Sequence, residues 1–351
     1  MVANHQSGEH QGGMKRRVAA LQGGNAMKLP RRNFLHLAAG AAALPAISRV
    51  AWAQPYPSRP VRLIVGFAAG GPTDITARLI GQWLSERLGQ QFIIENRPGA
   101  ASNLAVEAVV RAPPDGYTLL VVGATNTVNS TLYEKLSFNL IRDIAPVATT
   151  SREPLIMVVN PAVSAKTVAE FVTHAKAHPG KINFGSGGNG TPPHVSGELF
   201  KMMTETNLVH VPYRGAAPAI TDLLSGQVQV MFATPSISIE HIRASKLRPL
   251  AVTSATRWAG LPEIPTVSES VPGYESSAWY GIGAPRNTPT DIIGKLNREI
   301  NVGLADPKLT ARLADLGAVV VAGSPADFGR LIADETEKWA QVIRTSNIKT
   351  E

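Results

Sequence analysis

The chain has 351 residues, 44% hydrophobic and 17% charged, with a formal net charge of +8 and no cysteine. The absence of cysteine excludes disulfides, thiolate metal sites and cysteine nucleophiles, and the composition is that of an ordinary globular protein. Nor does the charge argue for a nucleic-acid partner: residues 1–53 hold Lys15, Arg16, Arg17, Lys28, Arg31, Arg32 and Arg49 against Glu9 alone, which leaves +2 for the rest.

The chain opens on a leader. Arg31-Arg32-Asn33-Phe34-Leu35 is followed by an alanine-rich apolar run over 34–47 and then by Ala51-Trp52-Ala53. A basic segment, a short apolar segment and a small-residue cut site make a secretory signal. The run is too short for the ~20 residues that span a bilayer, and Pro45 interrupts it. The arginine pair matches a twin-arginine export signal. We expect cleavage after Ala53 and a periplasmic mature protein. Met27-Lys28 opens a normal leader, which leaves residues 1–26 as either an untranslated upstream stretch or a long n-region.

After the leader, short β-branched runs alternate with helical patterns. Strands are expected at 61–67, 91–95, 118–122, 155–159, 181–184, 208–211, 228–232 and 247–252, helices at 74–88, 103–111, 168–177, 195–206, 218–224 and 237–244. The strands are apolar on both faces in many places, which suits parallel sheets between helices. Gly89 and Gly226 close helices. The tail is helical at 289–304, 307–316 and 325–345, with Thr288, Asp306 and Ser324 as N-cap candidates, and is expected to pack on the first sheet.

Two glycine loops carry the chemistry. Gly66-Phe67-Ala68-Ala69-Gly70-Gly71-Pro72-Thr73-Asp74 follows a strand and opens a helix. Glycines allow close approach to backbone N–H groups, and a helix start adds free donors and a positive dipole end. Thr73 is an N-cap candidate, and Asp74 suits the first helical turn. Gly185-Ser186-Gly187-Gly188-Asn189-Gly190-Thr191-Pro192-Pro193-His194 also lies between strand and helix. Its G-x-G-x-x-G invites a dinucleotide reading, but the acidic residue required about 20 positions on is absent. A two-sided anion clamp fits better, with His194 either a ligand donor or a cap.

No catalytic set is assembled: there is no G-x-S-x-G, H-E-x-x-H or P-loop lysine. His174 and His178 share a helix face but read as a solvated helix end. Phe67, Tyr213, Trp279 and Tyr280 are candidate pocket aromatics, with core packing the default for each. No cofactor and no metal is expected.

The first loop and its strand, together with Glu95-Asn96-Arg97-Pro98-Gly99-Ala100, Pro114-Asp115-Gly116-Tyr117-Thr118-Leu119, residues 185–194, Val211-Pro212-Tyr213-Arg214-Gly215, Pro218-Ala219 and residues 222–228, resemble the Bug family. Its members are extracytoplasmic solute receptors of tripartite tricarboxylate transporters. The resemblance covers nearly all of the chain after the leader. It implies an α/β type II periplasmic-binding-protein fold, with two Rossmann-like domains, two crossing strands and a ligand cleft between. It also implies that backbone amides, hydroxyls and waters clasp one carboxylate of a small organic acid. On this sequence the ligand-binding residues would be Phe67, Ala68, Gly70, Gly71, Thr73 and Asp74, with Ser186, Gly187, Asn189, Gly190, Thr191 and His194. Relatives often carry Asp where Gln229 stands, Ser for Pro72 and a Pro pair for Ala68-Ala69.

Residues 54–155 with 276–351 are expected as one domain and 156–275 as the other, because extended, proline-flanked stretches at 154–161 and 272–285 suit crossing strands. The expected partners are a small carboxylate and membrane permease subunits, with no nucleic acid, and the protein acts as a monomer. A sensory receptor docking a membrane kinase and an exported α/β hydrolase are the rival readings.

Overall fold

The computed structural model describes residues 56–213 and 215–349; the leader and its cut site lie outside them. Among the described residues there are eleven strands: β1 (Val61–Val65), β2 (Phe92–Asn96), β3 (Thr118–Gly123), β4 (Ile144–Pro154), β5 (Ile156–Val159), β6 (Ile182–Ser186), β7 (Leu208–Pro212), β8 (Val230–Ala233), β9 (Arg248–Val252), β10 (Ser277–Pro285) and β11 (Val319–Val320). They form two sheets, ordered β11-β4-β10-β3-β1-β2 and β7-β6-β8-β5-β9. The helices are α1 (Pro72–Leu88), α2 (Asn103–Val110), α3 (Ala124–Leu132), α4 (Leu140–Asp143), α5 (Val168–Ala177), α6 (Pro192–Thr204), α7 (Ala216–Ser225), α8 (Pro235–Arg243), α9 (Thr290–Leu304), α10 (Pro307–Ala314) and α11 (Pro325–Thr345).

The eight strands expected from β-branched runs all form, each to within two residues. β5 and β8 are buried along their whole length, as strands between two helical layers must be. α1, α9 and α10 cover one face of the first sheet. α2 and the first half of α11 cover the other, where Trp279 meets Phe328 edge-on. α5 and α6 pack on one face of the second sheet and α7 and α8 on the other.

Several local expectations need correcting. Thr73 does not cap α1: Gly71 is the N-cap and Pro72 the first helical residue. Thr288 does not cap α9; its hydroxyl donates to the Pro285 carbonyl. Asp306 and Ser324 do cap, and Gly89 and Gly226 close their helices in the left-handed region. The tail packs on the first sheet through Phe328 and Ile332, but Trp339, Val342 and Ile343 continue into the second sheet's core. A helix of 21 residues is about 30 Å long, enough to reach both.

Topology determines where a site can form. β10 runs antiparallel to both β3 and β4, and β1 is parallel to β2 and β3, so β1 to β4 all point one way. β6 is parallel to β7 and β8, and β5 starts beside the end of β8, with Ile156 opposite Ala233. The step from Pro154 to Ile156 therefore joins the carboxyl edges of both sheets. Ligand crevices in open α/β sheets form at such edges. Thr253 ties the crossing segments together: its hydroxyl accepts from Leu155 N at 2.8 Å and donates to Ser276 O at 2.7 Å.

Candidate functional site

The loop after β1 is built around one buried carboxylate. Asp74 is 1% exposed. One oxygen accepts from Gly70 N at 2.8 Å and Arg78 Nε at 2.9 Å. The other accepts from Arg78 Nη2 at 3.0 Å and Asn96 Nδ2 at 2.9 Å. Burial opposes its charge, but the hydrogen bonds from Arg78, Gly70 and Asn96 outweigh it and hold the carboxyl below its ordinary range. Asn96 also donates to Phe67 O, so both ends of the loop are pinned. The first backbone bond of α1 runs from Ile75 N to Gly71 O, so the amides of Thr73 and Asp74 precede the helical ladder.

A strained turn buttresses this loop. Ala100, Ala101 and Ser102 adopt φ of 45°, 50° and 78°, left-handed values that cost side-chain-bearing residues roughly 1–3 kcal/mol each. Neighbours hold the turn in place: Asn129 Nδ2 donates to Ala101 O at 2.7 Å, and Asn126 Nδ2 to Ser102 Oγ at 3.1 Å. A Cβ on Gly66 would lie 1.9 Å from Ser102 Oγ, so only glycine lets the loop and turn approach.

The loop after β6 is braced from inside by imidazoles. Gly190 N donates to His194 Nδ1 at 3.0 Å, and the His194 ring, 3% exposed, stacks on His210 at 3.8 Å. His210 Nε2 lies 2.6 Å from Ser186 Oγ, which also accepts from Gly188 N at 3.1 Å. Thr191 donates to Gly188 O at 2.7 Å. Gly188 and Gly190 carry φ of 129° and 74°. A Cβ on Gly190 would meet Leu132 of α3 at 2.9 Å, so this loop touches the helix that follows β3, whose Val128 and Leu132 pack into the second sheet's core.

The tripartite tricarboxylate transporter family receptor model matches residues 76–348. The chain belongs to this family. It is 34% identical to Protein BugT of Bordetella pertussis over 300 residues, covering 85% of this chain and 92% of BugT. A Rhodopseudomonas palustris protein solved with adipate is 37% identical with a TM-score of 0.76, covering 84% of this chain and 99% of that one. MatC from Rhodopseudomonas palustris, solved with malate, is 32% identical with a TM-score of 0.73, covering 82% and 100%. The receptor accordingly has the two-domain periplasmic-binding-protein fold and a solute-binding role, in a family of receptors rather than enzymes.

The receptor places both glycine loops at the joined carboxyl edges. Phe67, Ala68, Gly70, Gly71 and Thr73 lie on the first, and Ser186, Gly187, Asn189, Gly190 and Thr191 on the second. Asp74 and His194 are spent inside the loops: the carboxylate has four donors, and the ring is turned inward. At the two helix starts the amides of Thr73, Asp74 and His194 have no hydrogen-bond partner among the described residues, Pro192 and Pro193 having no N–H to offer. Of the candidate aromatics, Trp279 is core and Tyr213 donates to Asp222 at 2.6 Å. Tyr280, 9% exposed, lies in β10 opposite Gly123 of β3. Sequence reasoning missed the turn at 100–102, Asn126, Asn129 and His210. The Asn-rich run at 126–129 was the one available signal, since polar residues that pair with backbone gather at turns and caps.

The two rings set an acid limit. Burial, then the neighbouring His210 and Lys201, pulls His194 down to about 3, and burial, then Lys201, pulls His210 down to about 4. Both values lie below the ordinary 6.5, so the neutral rings favour the folded state. That stability is present above pH 6.5 and is lost as pH falls toward 4, by up to roughly 1.4 kcal/mol per pH unit for each ring. Melting temperature should drop steeply over this window. His194→Asn, whose side-chain oxygen can replace Nδ1, should show a shallower drop; identical slopes would refute the role given to the ring.

Proposed function

We propose that the receptor captures a small organic carboxylate between its two glycine loops in the periplasm and delivers it to a tripartite tricarboxylate-type permease. The observation that carries this reading is the pair of helix starts with free amides at the joined sheet edges, in loops that contain no Lys or Arg. Oriented backbone donors in a sheltered site suit a carboxylate without a paired cation. The adipate and malate in the two related structures support an acid ligand. Residues 54–155 with 276–351 and residues 156–275 act as the two domains, and ligand closes them about the Leu155–Thr253–Ser276 tie. The chain is exported, loses its leader after Ala53 and works as a monomer.

A hydrolase reading could draw on the 2.6 Å contact between Ser186 Oγ and His210 Nε2. Three observations weigh against it. The serine is fully buried, its oxygen already accepts from Gly188 N, and a ring held near pKa 4 is a poor base at neutral pH.

The test is calorimetric titration of purified protein with adipate, malate and a panel of other mono-, di- and tricarboxylates and aromatic acids. Binding of at least one acid is expected. A preferred ligand with no acidic group overturns the reading. Uptake of labelled acid by vesicles carrying the permease subunits should require the receptor; receptor-independent uptake would remove the delivery role.

A further inference from the structure

Helix α3 belongs to neither glycine loop and touches the supports of both. It follows β3, which pairs with β1, so it starts beside the strand that feeds the first loop. Asn126 and Asn129, one turn apart on the helix, hold the left-handed turn at 100–102. Asn126 Nδ2 donates to Ser102 Oγ at 3.1 Å, and Asn129 Nδ2 donates to Ala101 O at 2.7 Å and to Asn103 Oδ1 at 2.9 Å. Ser102 in turn occupies the space over Gly66, the first residue of the loop, where a Cβ would lie 1.9 Å from its Oγ. On the neighbouring face of α3, Leu132 and Val128 meet Gly190 of the second loop. A Cβ there would lie 2.9 Å from Leu132 Cδ2, 3.5 Å from Val128 Cγ1 and 3.6 Å from Asn129 Oδ1. Packed atoms thus run without a break from Gly66 through Ser102, Asn126 and the α3 backbone to Leu132 and Gly190.

This arrangement is costly. Residues 100–102 all sit in the left-handed region, and Asn129 Oδ1 and Asn103 Nδ2 are buried with no hydrogen-bond partner among the described residues. An unpartnered buried polar atom is destabilising, and an apolar side chain at 129 would avoid that cost but leave the turn without its donor. Strain and unmet polar groups of this kind persist where they hold a site in place. The helix is also anchored at both ends. Gly123 N donates to Asn126 Oδ1 at 2.9 Å, and Val128 and Leu132 are part of the second sheet's core.

We propose that α3 is the spacer that sets the gap between the two glycine loops, with Asn129 and Leu132 as positioning residues on its two sides. This inference rests on the carboxylate-receptor reading above. A carboxylate held by amides from both loops needs those amides within hydrogen-bond reach, a window of about 0.5 Å. A rigid helix that touches both supports fixes that window, and neither residue has to touch the ligand to control affinity. The carboxylate is the part that all the acids share, so a change in the gap weakens every acid by the same factor.

The experiment titrates adipate, malate and the wider acid panel into the parent, Leu132→Ala, Leu132→Met, Asn129→Ala and the double variant carrying both alanines. Phe171→Leu on α5, in the same core as Leu132, is the control. Leu132→Ala and Asn129→Ala should each lose about tenfold or more in affinity, the worth of one loosened hydrogen bond to a charged group, and equally for every acid that binds. Leu132→Met conserves volume and should stay within about twofold of the parent. Phe171→Leu should lose stability in chemical denaturation but hold its affinity within about twofold. The double variant should lose less than the product of the single losses, because a gap spoiled from one side has little left to lose from the other. Losses that multiply, a changed ratio between acids, or losses no larger than that of Phe171→Leu overturn the proposal. Should Leu132→Ala not fold, Leu132→Val takes its place in every comparison. A parent that binds no acid removes the receptor reading itself, whereas a parent that binds beside variants that lose nothing removes the spacer alone.

Discussion

Asp74→Ala is expected to cost the receptor about 3 kcal/mol of stability and at least a hundredfold in affinity for its carboxylate ligand. The carboxylate is 1% exposed and accepts four hydrogen bonds. Removing it leaves Gly70 N and Asn96 Nδ2 without an acceptor, and an unpaired buried donor costs roughly 1–3 kcal/mol. The loop then loses the contact that bends its backbone toward the helix start. Asp74→Asn keeps the shape but turns an NH2 toward one of the donors, so its effect should lie between parent and alanine. Chemical denaturation and calorimetric titration read both effects. An Asp74→Ala protein with parental stability and affinity would show that the carboxylate does not organise the site.

Gly187→Val is expected to abolish measurable binding, a loss of roughly a hundredfold or more for two hydrogen bonds to a charged ligand, at a folding cost of about 1–3 kcal/mol for overpacking. A Cβ at this position would lie 3.3 Å from both Ala216 N and Gly215 C. Gly215 N donates to Gly187 O at 3.1 Å, so the second loop and the start of α7 are hydrogen-bonded at the same point. The valine therefore acts by pushing that backbone away rather than by filling space meant for the ligand. Gly70→Val tests the contrast. Nothing lies within 4 Å of its Cβ position, but its φ of +85° is strained for any side chain. It should lose less affinity than Gly187→Val. A folded Gly187→Val with parental affinity refutes the packing argument.

Much of the architecture was legible in the amino acids. Strands such as β1, β5 and β8 carry apolar residues on both faces because helices cover them on both sides, and that pattern is local. Asp306 and Ser324 could be read as caps because a side-chain oxygen beside a helix-starting proline meets its own amide partners within three residues. The two glycine loops were visible for the same reason: a strand, a glycine-rich turn and a helix start lie within one continuous stretch.

What was not legible depended on distant partners. β4 reads as a polar, proline-containing run and becomes a strand because β10 and β11 pair with it from far along the chain. α3 is rich in Thr and Asn, poor helix formers, yet Asn126 and Asn129 are paid for by Gly123, Ser102, Ala101 and Asn103. Likewise His194 and His210 are sixteen residues apart and became a stacked pair only when β6, β7 and α6 were assembled. The sequence by itself determined the α/β class, the absence of cysteine chemistry, the position of both glycine loops and the family. Tertiary structure alone decided that Asp74 and His194 serve the loops from within, that the last helix reaches both cores, and that α3 touches the supports of both loops. Spacing and periodicity act over a few residues, whereas burial and hydrogen-bond pairing are decided by whichever part of the chain arrives next to them.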